Sequence, residues 1–336
     1  MDRRTLLGLG ATAAFAGLTR QAIAEEMNAA GVLSTDPTEI VPLWPGTPPG
    51  GEGVKLEAKV HERSDNLSAY HDRYVDTVGT PLLAVFRPDK PDGSAVLLVP
   101  GGGYRLIVID VEGLETARRL VASGVTVFML RYRLPAEGWA GRKDVPLQDA
   151  QRAMRIIRAG AQRYGIDPNR TGVMGFSAGG HLAASLATRP YDAVYTPIDD
   201  IDSQDAKPVF AGLIYPVITM GAGAHQGSRD HLLGANPSDA LVSAYSCEKL
   251  VTERTPPCFL CFAADDDVVR PMENGMAMYE ALRSAKISAE MHVFEMGGHG
   301  FGIRRAKGKP ASSWPDIFLH WGYNNGWFRS PGAAPA

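Results

Sequence analysis

The chain is poor in cysteine. It has three among 336 residues, Cys247, Cys258 and Cys261, too few and too clustered for a disulfide-built scaffold. Cys258-Phe-Leu-Cys261 has the spacing of a redox or metal motif. It falls in an apolar run that reads as a strand, where positions i and i+3 face opposite ways, so both are expected to be inert core residues. A bridge from Cys247 to one of them stays open in an oxidising compartment. Runs of lysine or arginine are also missing, and the formal net charge is −3; nucleic acid is therefore not an expected partner. No His, Cys and Asp cluster has metal-ligand spacing, so neither metal nor other cofactor is expected. Long apolar runs are lacking too. The stretch at residues 6–18 is short and rich in Gly and Ala, unsuited to spanning a bilayer, and no stable membrane association is expected once it is removed. There are no internal repeats.

What is present is the composition of an ordinary globular protein, 45% hydrophobic and 21% charged, long enough for one α/β domain with excursions. Asp2-Arg-Arg-Thr-Leu-Leu7, the moderately apolar stretch after it and Ala22-Ile-Ala24 resemble a twin-arginine export signal over residues 1–24, with cleavage before Glu25. This implies a periplasmic or secreted protein. Residues 25–53, rich in Pro and Gly, read as an extended lead-in over the surface. Residues 54–330 form the main domain, and residues 331–336 a disordered tail.

Gly175-Phe-Ser-Ala-Gly179 stands between a short apolar run and an alanine-rich stretch with helical character. Strand, then G-x-S-x-G, then helix is the nucleophile elbow of an α/β-hydrolase. The tight turn lifts the Ser177 hydroxyl clear of the sheet, and flanking glycines leave room for the close approach this requires. Upstream, the apolar run at residues 95–99 leads into Pro100-Gly-Gly-Gly-Tyr104, placed where esterases of this fold build half of an oxyanion hole. The N–H groups of Gly102 and Gly103, with that of Ala178, are the candidates. Downstream, an apolar strand ends in Ala263-Ala-Asp-Asp-Asp-Val-Val269, and Gly297-Gly-His-Gly-Phe301 follows another. The order Ser, Asp, His is the one this fold dictates. His299 is the candidate base. Asp266 is the candidate acid, because the acid is commonly followed by x-x-Val and Val269 fits; Asp265 and Asp267 remain alternatives.

Around these motifs strand and helix alternate. Two opening strands joined at Gly79 are expected over residues 70–78 and 81–86. Helices are expected over residues 114–122, 147–164, 178–188, 273–284 and 313–327. Strands are expected at 125–131, 210–215 and 289–294. The alternation predicts a mostly parallel sheet with helices on both faces. Residues 216–245 interrupt it, rich in Gly, Ala and Ser, and read as a loop-like cap over the site. His181, four residues after the serine, reads as packing. Tyr104 and His225 are each either substrate contacts or wall residues.

Trp44-Pro-Gly46, Pro100-Gly-Gly-Gly-Tyr104, Glu112-Gly113, Tyr132-Arg-Leu-Pro135, Pro146-Leu-Gln-Asp-Ala-Gln-Arg152, Gly175-Phe-Ser-Ala-Gly-Gly-His-Leu182 and Gly297-Gly-His-Gly-Phe-Gly302 resemble bacterial α/β-hydrolases of the acetyl xylan esterase-like group. The resemblance covers residues 41–328. It implies a serine esterase acting on acyl groups of an acylated polysaccharide or oligosaccharide, acetyl on xylan first. A feruloyl or aryl esterase, a short-chain lipase and a peptidase share these parts. A catalytically silent glycan-binding protein of the same fold is the non-enzyme alternative.

Overall fold

The computed structural model describes residues 37–329. The export signal, the first part of the lead-in and the tail expected from the sequence lie outside the described residues. Strands β1 (Glu39–Pro42), β2 (Val60–Glu62), β3 (Arg73–Val75), β4 (Leu82–Phe86), β5 (Ala95–Val99), β6 (Ile107–Val108), β7 (Thr126–Arg131), β8 (Thr171–Phe176), β9 (Ala211–Ile214), β10 (Cys258–Ala263) and β11 (Ala289–Phe294) make two sheets. The large one has eight strands in the order β1-β4-β7-β5-β8-β9-β10-β11, and the small one runs β2-β3-β6. From β7 to β11 every pairing is parallel; β1 and β4 add an antiparallel edge. The central strands are buried on both faces, Ala95–Val99 and Thr171–Phe176 throughout. They therefore read as continuous apolar runs, without the alternation of a half-exposed strand.

The helices are α1 (Glu115–Val121), α2 (Val145–Ala159), α3 (Ala161–Tyr164), α4 (Ser177–Thr188), α5 (Gln226–Leu233), α6 (Asp239–Ala244), α7 (Ala277–Ser284) and α8 (Trp314–Asn324). The one helix expected over residues 147–164 is two, α2 and α3. Gly160 takes a non-helical conformation between them, and the Tyr164 ring lies where a Cβ at Gly160 would be, 2.5 Å away. The expected cap at residues 216–245 is not simply loop: it carries α5 and α6, started by the His225 and Ser238 side chains, which accept from Ser228 N and Leu241 N.

Two expectations for the N-terminal third need correction. Residues 70–78 and 81–86 do not pair with each other. Only Arg73–Val75 is strand, and it joins the small sheet. Buried Asp110 holds it there, its carboxylate accepting from Arg73 N at 2.6 Å, Nε at 2.9 Å and Nη2 at 2.8 Å. The lead-in is more than a surface cover. Residues 39–42 form an edge strand, and Leu43 and Trp44 are buried. Trp44 Nε1 donates to Asp149 Oδ1 at 2.8 Å, and Asp149 also takes Arg133 N at 2.8 Å and Nη2 at 2.8 Å. Arg133 and Asp149 are fully buried. Breaking such a pair costs roughly 3–5 kcal/mol, because the survivor is left buried and uncompensated. Trp44, Arg133 and Asp149 belong to three of the motifs that carry the family resemblance, and they meet here to tie the lead-in to α2.

Cys247, Cys258 and Cys261 are free and buried. Burial pushes the Cys247 and Cys258 thiols up to about 12, so they stay protonated and unreactive. Among the described residues no helix is long and apolar enough to cross a membrane.

Candidate active site

Because β5, β8, β10 and β11 are parallel, their carboxyl ends share one edge of the sheet, and the segments that follow them meet there. After β5 come Gly101–Gly103, after β8 Ser177, after β10 Asp265 and Asp266, and after β11 His299. Ser177 opens α4 with φ 51°, a left-handed conformation that costs a non-glycine residue of order 1 kcal/mol or more. The turn is held by close packing. A Cβ at Gly179 would sit 2.3 Å from the carbonyl oxygens of both Val99 and Pro100, so no larger residue could bring α4 this near β5.

Ser177 Oγ lies 2.8 Å from His299 Nε2, and His299 Nδ1 lies 2.8 Å from Asp266 Oδ2. A carboxylate can only accept, so Nδ1 carries the proton, which leaves Nε2 as the acceptor for the serine hydroxyl. Asp266 is 1% exposed. Its other oxygen accepts from Val268 N at 2.9 Å and Val269 N at 2.8 Å. This is the physical content of the x-x-Val spacing: the valine N–H fixes the carboxylate, and its side chain, fully buried, anchors the turn.

The three aspartates thus separate by environment. Asp265 points away from the imidazole and accepts from Gly297 N at 2.8 Å and Gly298 N at 2.7 Å. The Gly298 N–H holds its carboxyl below the usual range. It shapes the loop that carries His299. Asp267 is exposed.

Gly102 and Gly103 adopt φ 133° and 67°. The Gly102 carbonyl accepts from Arg105 N and Leu106 N, both at 3.1 Å, closing a tight turn whose glycines line a cavity of about 390 Å³ with Ser177 and His299. Gly101 N is not available to a substrate: it donates to Glu112 Oε2 at 2.6 Å. Ala178 is the second residue of α4, where backbone N–H groups have no intrahelical acceptor. His225, placed by the N-terminus of α5, lines the same cavity. Its ring bonds Ser228 Oγ at 2.8 Å, and burial lowers its pKa, so it is neutral near pH 7. Tyr104 does not reach the cavity. It is 1% exposed and its hydroxyl bonds His181 Nδ1 at 2.7 Å, while His181 Nε2 bonds the Tyr245 carbonyl at 2.7 Å. Burial lowers His181 to about 4. It is a neutral brace between the glycine turn, α4 and the cap, in line with its expected packing role.

Glu112 and Tyr215 belong to the site's support and were not singled out for it by the sequence. Glu112 is 4% exposed and burial raises its pKa. It takes Gly101 N on one side and the Tyr215 hydroxyl on the other. Tyr215, at φ 35°, sits edge-on to the His299 ring, 5.2 Å between centroids, and its hydroxyl also accepts from Gly302 N at 3.2 Å. One buried carboxyl therefore couples the glycine turn to the histidine loop. The only sequence signal was Glu112-Gly113 as a family element, with no chemistry attached.

The parallel sheet, the strained serine at the strand-to-helix turn and the hydrogen-bonded Ser–His–Asp chain define an α/β-hydrolase. The sequence profile of the BD-FAE family matches residues 83–282, and the chain belongs to that family. An acetylxylan esterase of Xylanibacter ruminicola is 34% identical over 230 residues, 67% of this chain and 44% of its own length. The endo-1,4-beta-xylanase B of Butyrivibrio fibrisolvens is 37% identical over 222 residues, 66% of this chain and 34% of its own length. The chain thus spans less than half the length of these two curated relatives. The crystal structure of an acetyl ester-xyloside bifunctional hydrolase from Caldicellulosiruptor lactoaceticus superposes with a TM-score of 0.68 at 30% identity, covering 88% of this chain and 99% of that one. The carboxylesterase Cest-2923 of Lactobacillus plantarum, at 22% identity and a TM-score of 0.61 over 82% of this chain and 100% of its own, shares the fold.

Proposed function

We propose that the protein is a serine carboxylic-ester hydrolase that removes acetyl groups from xylan or a related polysaccharide through an acyl-enzyme. The observation that carries this reading is the unbroken chain from Ser177 Oγ through His299 to buried Asp266 beside the cavity lined by Gly102 and Gly103. Ser177 attacks the ester carbonyl while His299 Nε2 takes its proton. The tetrahedral oxyanion is held by N–H groups of Gly102, Gly103 and Ala178. His299 then protonates the departing sugar hydroxyl, and Asp266 stabilises the imidazolium and fixes its tautomer. Water, deprotonated by His299, frees the acid and restores Ser177. The names of the acetylxylan esterase and the acetyl ester-xyloside hydrolase to which the chain is similar support acetylated xylan as the substrate class.

The cavity's lining supports a small acyl group. Its apolar wall is limited to Leu106, Val108, Val111 and Val268, and the rest of the lining is glycine and polar or charged side chains, Arg63, Arg105, Glu112, His225, His231 and Arg305 among them. A misfit of one methylene in a matched pocket changes kcat/KM by roughly ten-fold or more. Across nitrophenyl acetate, butyrate, octanoate and laurate, kcat/KM is expected to fall steeply, with acetate released from acetylated xylan. A profile flat or rising toward laurate, with no acetate from xylan, would favour a lipase. Release of ferulate in preference to acetate would favour an aryl esterase.

Export by the twin-arginine route belongs to the same proposal and is supported by Arg3-Arg4, the apolar stretch and Ala22-Ile-Ala24. Cell fractionation is expected to find the protein outside the cytoplasm beginning at Glu25, and Arg3→Lys with Arg4→Lys to retain it inside. A cytoplasmic protein beginning at Met1 would remove this part of the reading.

A further inference from the structure

The cavity beside Ser177 is rimmed by positive charge with little to balance it. Arg63, Arg105 and Arg305 all line it. Arg63 Nη2 and Arg305 Nη2 converge on the two oxygens of one carboxylate, Asp72, at 3.0 and 2.7 Å, and Arg304 Nη2 approaches the same group at 3.9 Å. Asp72 is itself 7% exposed. One largely buried acid thus faces several guanidiniums, and the side chains of Arg63 and Arg305 remain 36% and 45% exposed. Arg105 is exposed and has no carboxylate partner among the described residues. It belongs to the tight turn of the oxyanion glycines, its N–H bonded to the Gly102 carbonyl. The nearby acids do not offset this charge at the cavity. Asp266 lies behind His299 with no exposed side chain. Glu62 is turned back onto the N–H groups of Arg63, Ser64 and Asp72 and onto His71. Glu112 is the one carboxyl in the lining, and burial favours its neutral form.

We propose that Arg105, with Arg63 and Arg305, forms an anion-binding subsite that recognises a carboxylate on the alcohol side of the scissile ester, as on a uronic-acid-branched, acetylated glycan. The alcohol side follows from geometry. The small acyl group is the part of the substrate that can be enclosed, while a glycan chain must leave through the mouth, where these exposed guanidiniums stand. Guanidinium suits the task because its planar fork pairs a carboxylate bidentately and is always charged. Arg63 and Arg305 are oriented by Asp72, so little side-chain entropy is lost when they bind, and Arg105 supplies the unpaired charge.

The inference rests on the esterase reading, and its glycan form on the xylan reading, so the test has two arms. The first compares acetate release from acetylated xylo-oligosaccharides with and without a glucuronate branch. The second compares para-acetoxybenzoate with its methyl ester, which places a carboxylate on a non-sugar leaving group. In each arm the readout is the ratio of kcat/KM, charged over neutral, in wild type against Arg105→Gln, Arg105→Lys and Arg305→Gln; taking the quotient cancels intrinsic reactivity. Exposed charge pairs support a loss of about five-fold in that ratio for Arg105→Gln, with partial retention in Arg105→Lys. The wild-type preference should shrink as salt rises from about 0.1 M to about 1 M, where the screening length drops to about 3 Å. Ratios identical in wild type and both Gln variants overturn the subsite. If para-acetoxybenzoate behaves as expected but neither oligosaccharide is cleaved, the subsite stands and the xylan reading fails. If the Gln variants instead lose activity only on nitrophenyl hemisuccinate, whose carboxylate is in the acyl group, the alcohol-side assignment is overturned.

Discussion

Ser177→Ala is expected to reduce kcat on nitrophenyl acetate by about 10⁴-fold or more while the protein stays folded. Triad members act as a unit, and what survives their loss is only the contribution of binding and the oxyanion hole. The substitution is structurally small. Alanine keeps the Cβ that packs against Gly101, and the φ of 51° persists because β8 and α4 fix the turn on either side. Only Oγ and its 2.8 Å bond to His299 are lost. Thermal unfolding should therefore be nearly unchanged. A purified variant retaining more than a tenth of the wild-type rate would remove Ser177 as the nucleophile and return the non-catalytic, glycan-binding reading to consideration.

The parts of this site that could be read from sequence are those fixed by local rules. The serine needs glycines on both sides because a Cβ at Gly179 would meet the carbonyl oxygens of Val99 and Pro100, and one at Gly175 would meet the Gly179 carbonyl oxygen at 2.2 Å; that requirement is written in five consecutive residues. The x-x-Val spacing favours Asp266 over its neighbours without excluding them, and the spacing has a local cause: the Asp266 carboxylate is bonded to the N–H of a residue three positions on. Glu112 and Tyr215 had no such mark. Glu112 acquires meaning from the N–H of Gly101, eleven positions earlier, and from a tyrosine at the end of a different strand. Arg63 and Arg305 are more than two hundred residues apart and meet on Asp72. The same limit explains the errors in the fold. The sequence reads residues 70–78 as a strand joined to 81–86 by a turn at Gly79, but the strand at Arg73–Val75 pairs instead with residues 60–62 and 107–108, and Arg73 is bonded to Asp110 across 37 positions. A lead-in rich in Pro and Gly reads as surface until Trp44 is seen to donate to Asp149 inside the protein, 105 positions away.

The three adjacent aspartates allow the second large effect to be tested against internal controls. Asp266→Asn is expected to lower kcat by about 10³–10⁴-fold near neutral pH. The amide cannot compensate the imidazolium that forms when His299 takes the serine proton, and its NH₂, turned toward Nδ1, would favour the tautomer in which Nε2 carries the proton and can no longer accept from Ser177. Asp265→Asn should cost less than about ten-fold, because an amide oxygen can still accept from Gly297 N and Gly298 N and only the charge is lost from an exposed site. Asp267→Asn should be near wild type. The decisive comparison is the double variant. If Asp266 acts through His299 on Ser177, adding Asp266→Asn to Ser177→Ala should lower the residual rate no further, since the proton transfer it supports has already gone. A further large fall in the double variant would mean that Asp266 holds the fold of the loop and does not work through the triad. If Asp265→Asn were the most damaging single change, with Asp266→Asn close to wild type, the acid would be Asp265, and the 2.8 Å bond between Asp266 and His299 would have no part in turnover.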